Sequence, residues 1–212
     1  MTKLGLQRLQ DLTQAIEKLA SQIPQLENWA QTLSEVLLSG GRFLIAGNGG
    51  SASQAQHLAA ELVGRYCNDR TPFSALALHM DTASFTAISN DYGFEEVFAR
   101  QVRAHGRKGD IFLGISTSGN SPNVLLAAQE ANNKGLITWA LTGPHPNELA
   151  VMSQQSIRVQ ASSTATIQEV HQVVIHLLCE AFDSNVSMSE SKTSIDLSQL
   201  SKESDQAPMQ IW

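Results

Sequence analysis

The sequence predicts an α/β fold, a three-layer αβα sandwich around a central parallel sheet, preceded by N-terminal amphipathic helices. Three observations carry that prediction. Short apolar runs alternate with helical stretches through residues 41–183, and such alternation implies βαβ crossovers and parallel strands. Two of those runs break into loops of small polar residues that open onto a helix. A length of 212 residues, 42% of them hydrophobic, is enough for one sizeable core.

The elements follow in order. Residues 1–40 read as helices: Leu9, Leu12, Ile16, Leu19 and Ile23 recur in a three-and-four rhythm, and Pro24 opens a second stretch carrying Leu26, Trp29, Leu33 and Val36. Gly40 and Gly41 stop it. This lead-in has no evident core of its own, so it either caps the domain or packs on a partner subunit, the second being favoured. Strands are expected at 43–46, 74–78, 111–115, 137–141 and 156–159. Helices are expected at 51–62, 82–90, 97–104, 122–134 and 165–182, with a turn at Thr142-Gly143-Pro144. From Ser184 the composition becomes polar, and 184–212 reads as a flexible tail whose last residues, Met209 to Trp212, offer a local docking element.

Charge and composition narrow the function. The net charge is −6 and no dense Lys/Arg run occurs, which argues against a nucleic-acid partner. No apolar run approaches the roughly 18 residues of a membrane span, and the first residues turn polar too soon for a secretory signal. Cys67 and Cys179 form no CxxC pair and read as free thiols. The expectation is a soluble, cytoplasmic protein.

The two polar loops carry the chemistry. The first, Gly47-Asn48-Gly49-Gly50-Ser51-Ala52, satisfies the G-x-G-x-x-G/A pattern of dinucleotide-binding folds. The confirming acidic residue is misplaced, because Asp69 sits in a polar loop and Asp81 lies too far along. No Gly-Lys-Ser/Thr follows, which excludes a P-loop. The second loop offers four hydroxyls in six positions, Ser116, Thr117, Ser118 and Ser121, before a helix opened by Pro122. One hydroxyl suffices for a helix cap; four beside the positive end of a helix suit a phosphate. The fold places both loops at the carboxyl ends of strands, where such sheets bind ligands. His57 and Glu61, four residues apart on a helix, share a face, and Gln168 and His176 can do so on the last helix. By themselves these read equally as a surface pair and a core histidine.

On Ala46–Ser51, His57–Tyr66, Asn90-Asp91-Tyr92-Gly93-Phe94, Gly114–Ser121 and Ile167–His171, the chain resembles the SIS (sugar isomerase) domain family, and within it the phosphoheptose isomerases. The resemblance spans about residues 40–182. It implies aldose–ketose isomerisation of sedoheptulose 7-phosphate to D-glycero-D-manno-heptose 7-phosphate through an enediol, the first step toward nucleotide-activated heptose. It implies Glu61 as base and His176 as complementary acid, and one zinc per subunit held by His57, Glu61, Gln168 and His176. The substrate contacts it implies are Asn48, Gly49, Gly50, Glu61, Asn90, Asp91, Ser116, Thr117, Ser118, Ser121 and Gln168. It also implies a homotetramer with active sites between subunits. A non-catalytic SIS relative that binds the DnaA replication initiator is the alternative. That scaffold lacks the acidic and basic residues equivalent to Glu61 and His176, and both are present here.

Overall fold

Five apolar runs form one parallel sheet: β1 (Phe43–Gly47), β2 (Ala75–Ala77), β3 (Ile111–Ser116), β4 (Ile137–Thr142) and β5 (Gln155–Arg158), in the order β2-β1-β3-β4-β5. In this computed structural model the described residues are 3–204, with side chains from 4 to 189. Every residue of β1 and β3 is buried, as expected of strands covered on both faces. Alternation assigns the sides. Phe43, Ile45, Ile111, Leu113, Ile115, Trp139 and Leu141 point to one layer, and Leu44, Ala46, Phe112 and Ala140 to the other.

The first layer consists of α2 (Ile23–Leu38), α3 (Gly50–Val63) and α8 (Thr164–Ser204). The second is built on α5 (Glu96–His105) and α6 (Pro122–Asn133), with α4 (Thr82–Tyr92) and the short α7 (Glu148–Met152) at its margins. The three-layer expectation therefore holds, and its strands fall within a residue or two of their expected ends. The five-residue α7 was not among the expected elements; it is too short to show a period, and Asn147 caps it by accepting from Ala150 N at 2.9 Å.

Two expectations need correction. The second lead-in helix does have a core to cover in its own chain. Trp29 of α2 stacks on Trp139 of β4 with ring centroids 4.7 Å apart and planes within 2°, and Ala30, Leu33 and Leu37 are buried around them. Among the described residues of the lead-in, α1 (Lys3–Leu19) carries most of the exposed large apolar side chains, Leu4, Leu6, Leu9 and Ile16, with Leu38 at the end of α2. The last helix does not stop near Phe182 but continues to Ser204, so residues 184–204 are helical where a flexible tail was expected. Val186 is buried one turn beyond Phe182, and no Gly or Pro interrupts the chain until Pro208. Met209 to Trp212 lie outside the described residues.

One buried group ties stability to pH. His171 of α8 is fully buried beside the Thr142 backbone, and neither ring nitrogen has a hydrogen-bond partner of ordinary geometry. Burial pushes its pKa down from 6.5 to about 4. The folded protein then keeps the ring neutral while the unfolded chain takes up a proton below 6.5. Stability present at pH 7 is expected to drain away as pH falls from 6.5 towards 4, by about 3 kcal/mol in all. Urea denaturation at pH 7 and pH 4.5 checks this: His171→Leu should be markedly less sensitive to that change, and an equal loss in both proteins would contradict it.

Candidate active site

Chain order decides where a ligand can sit. In a 2-1-3-4-5 sheet the connections leaving β1 and β3 depart to opposite faces, which opens a crevice at the carboxyl ends of these two strands. Asn48 and Gly49 follow β1 and residues 117–121 follow β3, so both polar loops line that crevice. The helices they feed, α3 and α6, turn their N-terminal N–H groups and dipoles toward it.

The second loop is a hydroxyl cradle. Ser116 Oγ lies 3.1 Å from Ser121 Oγ and 3.4 Å from Ser118 Oγ, and it accepts from Gly119 N at 3.1 Å. Ser118 Oγ accepts from Asn120 N at 3.2 Å. Gly119 is required there: its φ is +65°, and a Cβ would stand 2.3 Å from Asn147 Cβ. Thr117 and Ser118 also line a neighbouring cleft of about 250 Å³ bounded by Pro144, Ala161, Ser162, Thr164 and Ile167. Thr117 is thus next to the cradle, but its hydroxyl does not join the other three.

The first loop is fastened to the second. The amides of Asn48 and Asn123 exchange hydrogen bonds, 2.8 Å from Asn48 Nδ2 to Asn123 Oδ1 and 3.0 Å in return. Asn48, expected to contact the sugar, uses one N–H and one carbonyl lone pair on the seam between loops and keeps its second N–H for another partner. Asn123 gave no sequence signal beyond its place in the first turn of α6. Gly49 adopts φ +55°, and Gly50 lets Gln168 approach so closely that a Cβ would stand 2.4 Å from the Gln168 amide nitrogen.

The helices α3 and α8 meet over this loop. His57 Nε2 is 3.3 Å from Glu61 Oε1 on its own helix and 3.0 Å from His176 Nε2 on α8. Glu61 and His176 thus converge on one nitrogen although 115 residues apart in sequence. On α8, Gln172, which the sequence did not single out, lies with its Nε2 3.0 Å from His176 Nε2. The Tyr66 ring closes the other side, 5.8 Å from the His176 ring. Desolvation, followed by Cys67 and the carboxylates of Glu180 and Glu61 among others, raises its phenol pKa, so it remains a neutral donor. Asn90 and Asp91 occupy the exposed last turn of α4, where the Asn90 amide donates to Asp91 Oδ1 at 2.8 Å. Among the described residues no hydrogen bond ties them to the two loops.

The donor set suits a divalent metal in kind. Two imidazole nitrogens and a carboxylate are the ligands of many catalytic zinc sites, whose donors stand about 3.4 Å apart when bonded at their usual lengths. The separations here are 3.0 and 3.3 Å. Two Nε2 atoms facing at this distance also need a proton or a cation between them. The side chains touch one another instead of surrounding a common centre, and among the described residues no group of three His, Cys, Asp or Glu stands ready to hold a metal. The fourth implied ligand, Gln168, directs its amide to Gly50, and Gln172 occupies the place beside His176.

Comparison with known proteins agrees with this architecture. The SIS domain family matches residues 7–143. The phosphoheptose isomerase of Streptomyces coelicolor is 60% identical over 164 residues, covering 77% of this chain and 71% of its relative. That of Helicobacter pylori strain P12 is 46% identical over 172 residues, covering 81% and 88%. Among solved structures, phosphoheptose isomerase GmhA from Neisseria gonorrhoeae superposes with a TM-score of 0.79 at 38% identity, covering 86% of this chain and 98% of that one. The phosphoheptose isomerase from Francisella tularensis gives 0.78 at 36%, covering 87% and 100%. With its doubly wound sheet, hydroxyl cradle and facing histidines, the chain belongs to the phosphoheptose isomerase family of SIS-domain proteins.

Proposed function

We propose that this protein is an aldose–ketose isomerase acting on a seven-carbon sugar phosphate, sedoheptulose 7-phosphate, in the cytoplasm and as a homotetramer. The observation that carries the reading is the meeting of Glu61, His57 and His176 on helices that start at the same crevice as the hydroxyl cradle. Ser116, Ser118 and Ser121 grip the terminal phosphate with the N-terminus of α6, while Thr117, Gly49, Gly50 and Gln168 line the path to the reacting carbons. Holding the inert end lets remote binding energy orient C1 and C2. Asn90 and Asp91 reach a substrate from a neighbouring subunit in this arrangement.

The chemistry moves one proton between carbons. Glu61 takes a proton from C1 of the ketose; the bonding pair becomes the C1–C2 double bond, and the C2 oxygen receives a proton from the His176 side. The O1 proton then returns to the His176 side as the C1 carbonyl forms, and the C1–C2 pair takes the proton held by Glu61 onto C2. One Glu61 oxygen faces His57, which leaves the other for the carbon-bound proton. His57, Glu61 and His176, with Gln168 after a side-chain turn, would hold zinc. When bound, the metal supplies electrophilic stabilisation of the carbonyl oxygen as its charge grows.

Incubation of the purified chain with sedoheptulose 7-phosphate tests the reading directly. NMR should show the aldose anomeric signals growing in, with metal-stripped protein slower and zinc restoring the rate. A folded protein that leaves the ketose untouched would overturn the function, and full activity without metal would overturn the zinc. Ser118→Ala is expected to weaken sugar-phosphate binding by roughly 10-fold or more, the value of a hydrogen bond to a charged group. Unchanged affinity by calorimetry would remove Ser118 from the cradle.

A further inference from the structure

The loop between α3 and β2 holds a buried arginine that no step above uses. Arg70 is almost fully enclosed, with 6% of its side chain exposed. Four of its N–H groups have acceptors: Nε donates to Asp183 Oδ1 at 2.7 Å, Nη2 to the Glu61 carbonyl at 2.7 Å, and Nη1 to the carbonyls of Leu62 at 3.0 Å and Thr71 at 3.2 Å. The guanidinium also lies 5.4 Å from the ring centroids of both Phe73 and Phe182. Two of these acceptors belong to the last turn of α3, where carbonyls have no partner within the helix and a cation is favoured. The ionic partner is on α8, seven residues beyond His176 and so on nearly the same face.

We propose that Arg70 is a positioning residue for the isomerisation, a buried clamp that fixes the backbone of Glu61 relative to α8 and thereby sets the meeting of Glu61 and His57 with His176. The inference rests on the proposed function for its kinetic consequence, not for its geometry. Besides the apolar packing of α3 on α8, polar contacts join the pair along its length. At the crevice end Gln54 Nε2 donates to the Gln168 carbonyl at 2.6 Å. In the middle the two histidines face each other. At the far end the Arg70–Asp183 pair, with the packing of Phe73 on Phe182, ties the end of α3 to α8 beside the buried Leu62 and Leu178. A rigid fork is needed because one group serves two helices at once, in different directions. Lysine has the charge without that geometry.

Arg70→Lys is the test. It should lower kcat by about 10- to 100-fold, the usual consequence of misplacing reacting groups by about 1 Å. KM for sedoheptulose 7-phosphate should stay within about 3-fold, because the hydroxyl cradle hangs on β3 and α6. Guanidinium ion added to Arg70→Ala should restore part of the lost kcat. Should either variant fail to fold, Asp183→Asn removes the ion pair with little change of shape and should show the same kcat-specific loss. A readout independent of turnover is the ring-proton NOE between His57 and His176, whose centroids are 5.2 Å apart. It should weaken in Arg70→Lys. Wild-type kcat in folded Arg70→Lys, a loss confined to KM, or an unchanged NOE would each overturn the clamp. An inactive wild-type protein would instead count against the isomerase reading and leave the NOE to decide this one.

Discussion

Glu61→Gln is expected to lower kcat by about 10²–10⁴-fold, the range that a positioned general base contributes. The replacement has nearly the same shape, so the contact with His57 at 3.3 Å can persist as a hydrogen bond from the amide. The fold should therefore survive, and so should affinity for sugar phosphate, because the cradle of Ser116, Ser118 and Ser121 lies on a different strand–helix connection. What the amide cannot do is accept a carbon-bound proton. The decisive measurements are turnover by NMR and phosphate-ester binding by calorimetry on the same preparation. Near-normal turnover would remove Glu61 as the base. Loss of binding in step with turnover would mean that the residue holds the substrate more than it acts on it.

The second large effect concerns the floor beneath the site. Trp139→Ala should cost about 3–5 kcal/mol, the range for truncating a buried aromatic side chain. For a chain of this length that corresponds to a Tm lower by roughly 10 °C. Trp139 has no exposed surface, stacks on Trp29 at 4.7 Å and meets the edge of Phe43 at 5.9 Å. Its removal opens a void between the sheet and α2 that rigid neighbours cannot refill. Trp139→Phe keeps most of the contact and should lose much less. Chemical denaturation monitored by circular dichroism distinguishes them, and a loss below about 1 kcal/mol for alanine would show that α2 is fastened elsewhere.

What could be read from the sequence was set by locality. The strands β1 and β3 are apolar on both faces and bounded by Gly and Asp, so burial and loop position followed from residues 42–51 and 110–121 alone. His57 and Glu61 needed only a helical period. The Nε2–Nε2 contact of His57 and His176 spans 119 residues and became visible only through family resemblance and then through the packing of α3 on α8. Gln172 was missed because one glutamine on a helix looks like any other solvated amide. Asn123 was hidden because its partner lies 75 residues away, and Arg70 because Asp183 lies 113 residues away. The long α8 was truncated in the reading because polar composition suggested disorder, whereas the absence of Gly and Pro decided the backbone.

The paired amides of Asn48 and Asn123 have a consequence for selectivity. Side chains that hydrogen-bond each other in both directions across a seam resist the two walls sliding apart, so under the proposed function the gap between phosphate seat and proton-transfer groups would act as a ruler. Such a ruler discriminates by the number of carbons between the ester and the carbonyl. A pentulose or hexulose phosphate, seated by the same anion, would present its reactive carbons short of the carboxylate.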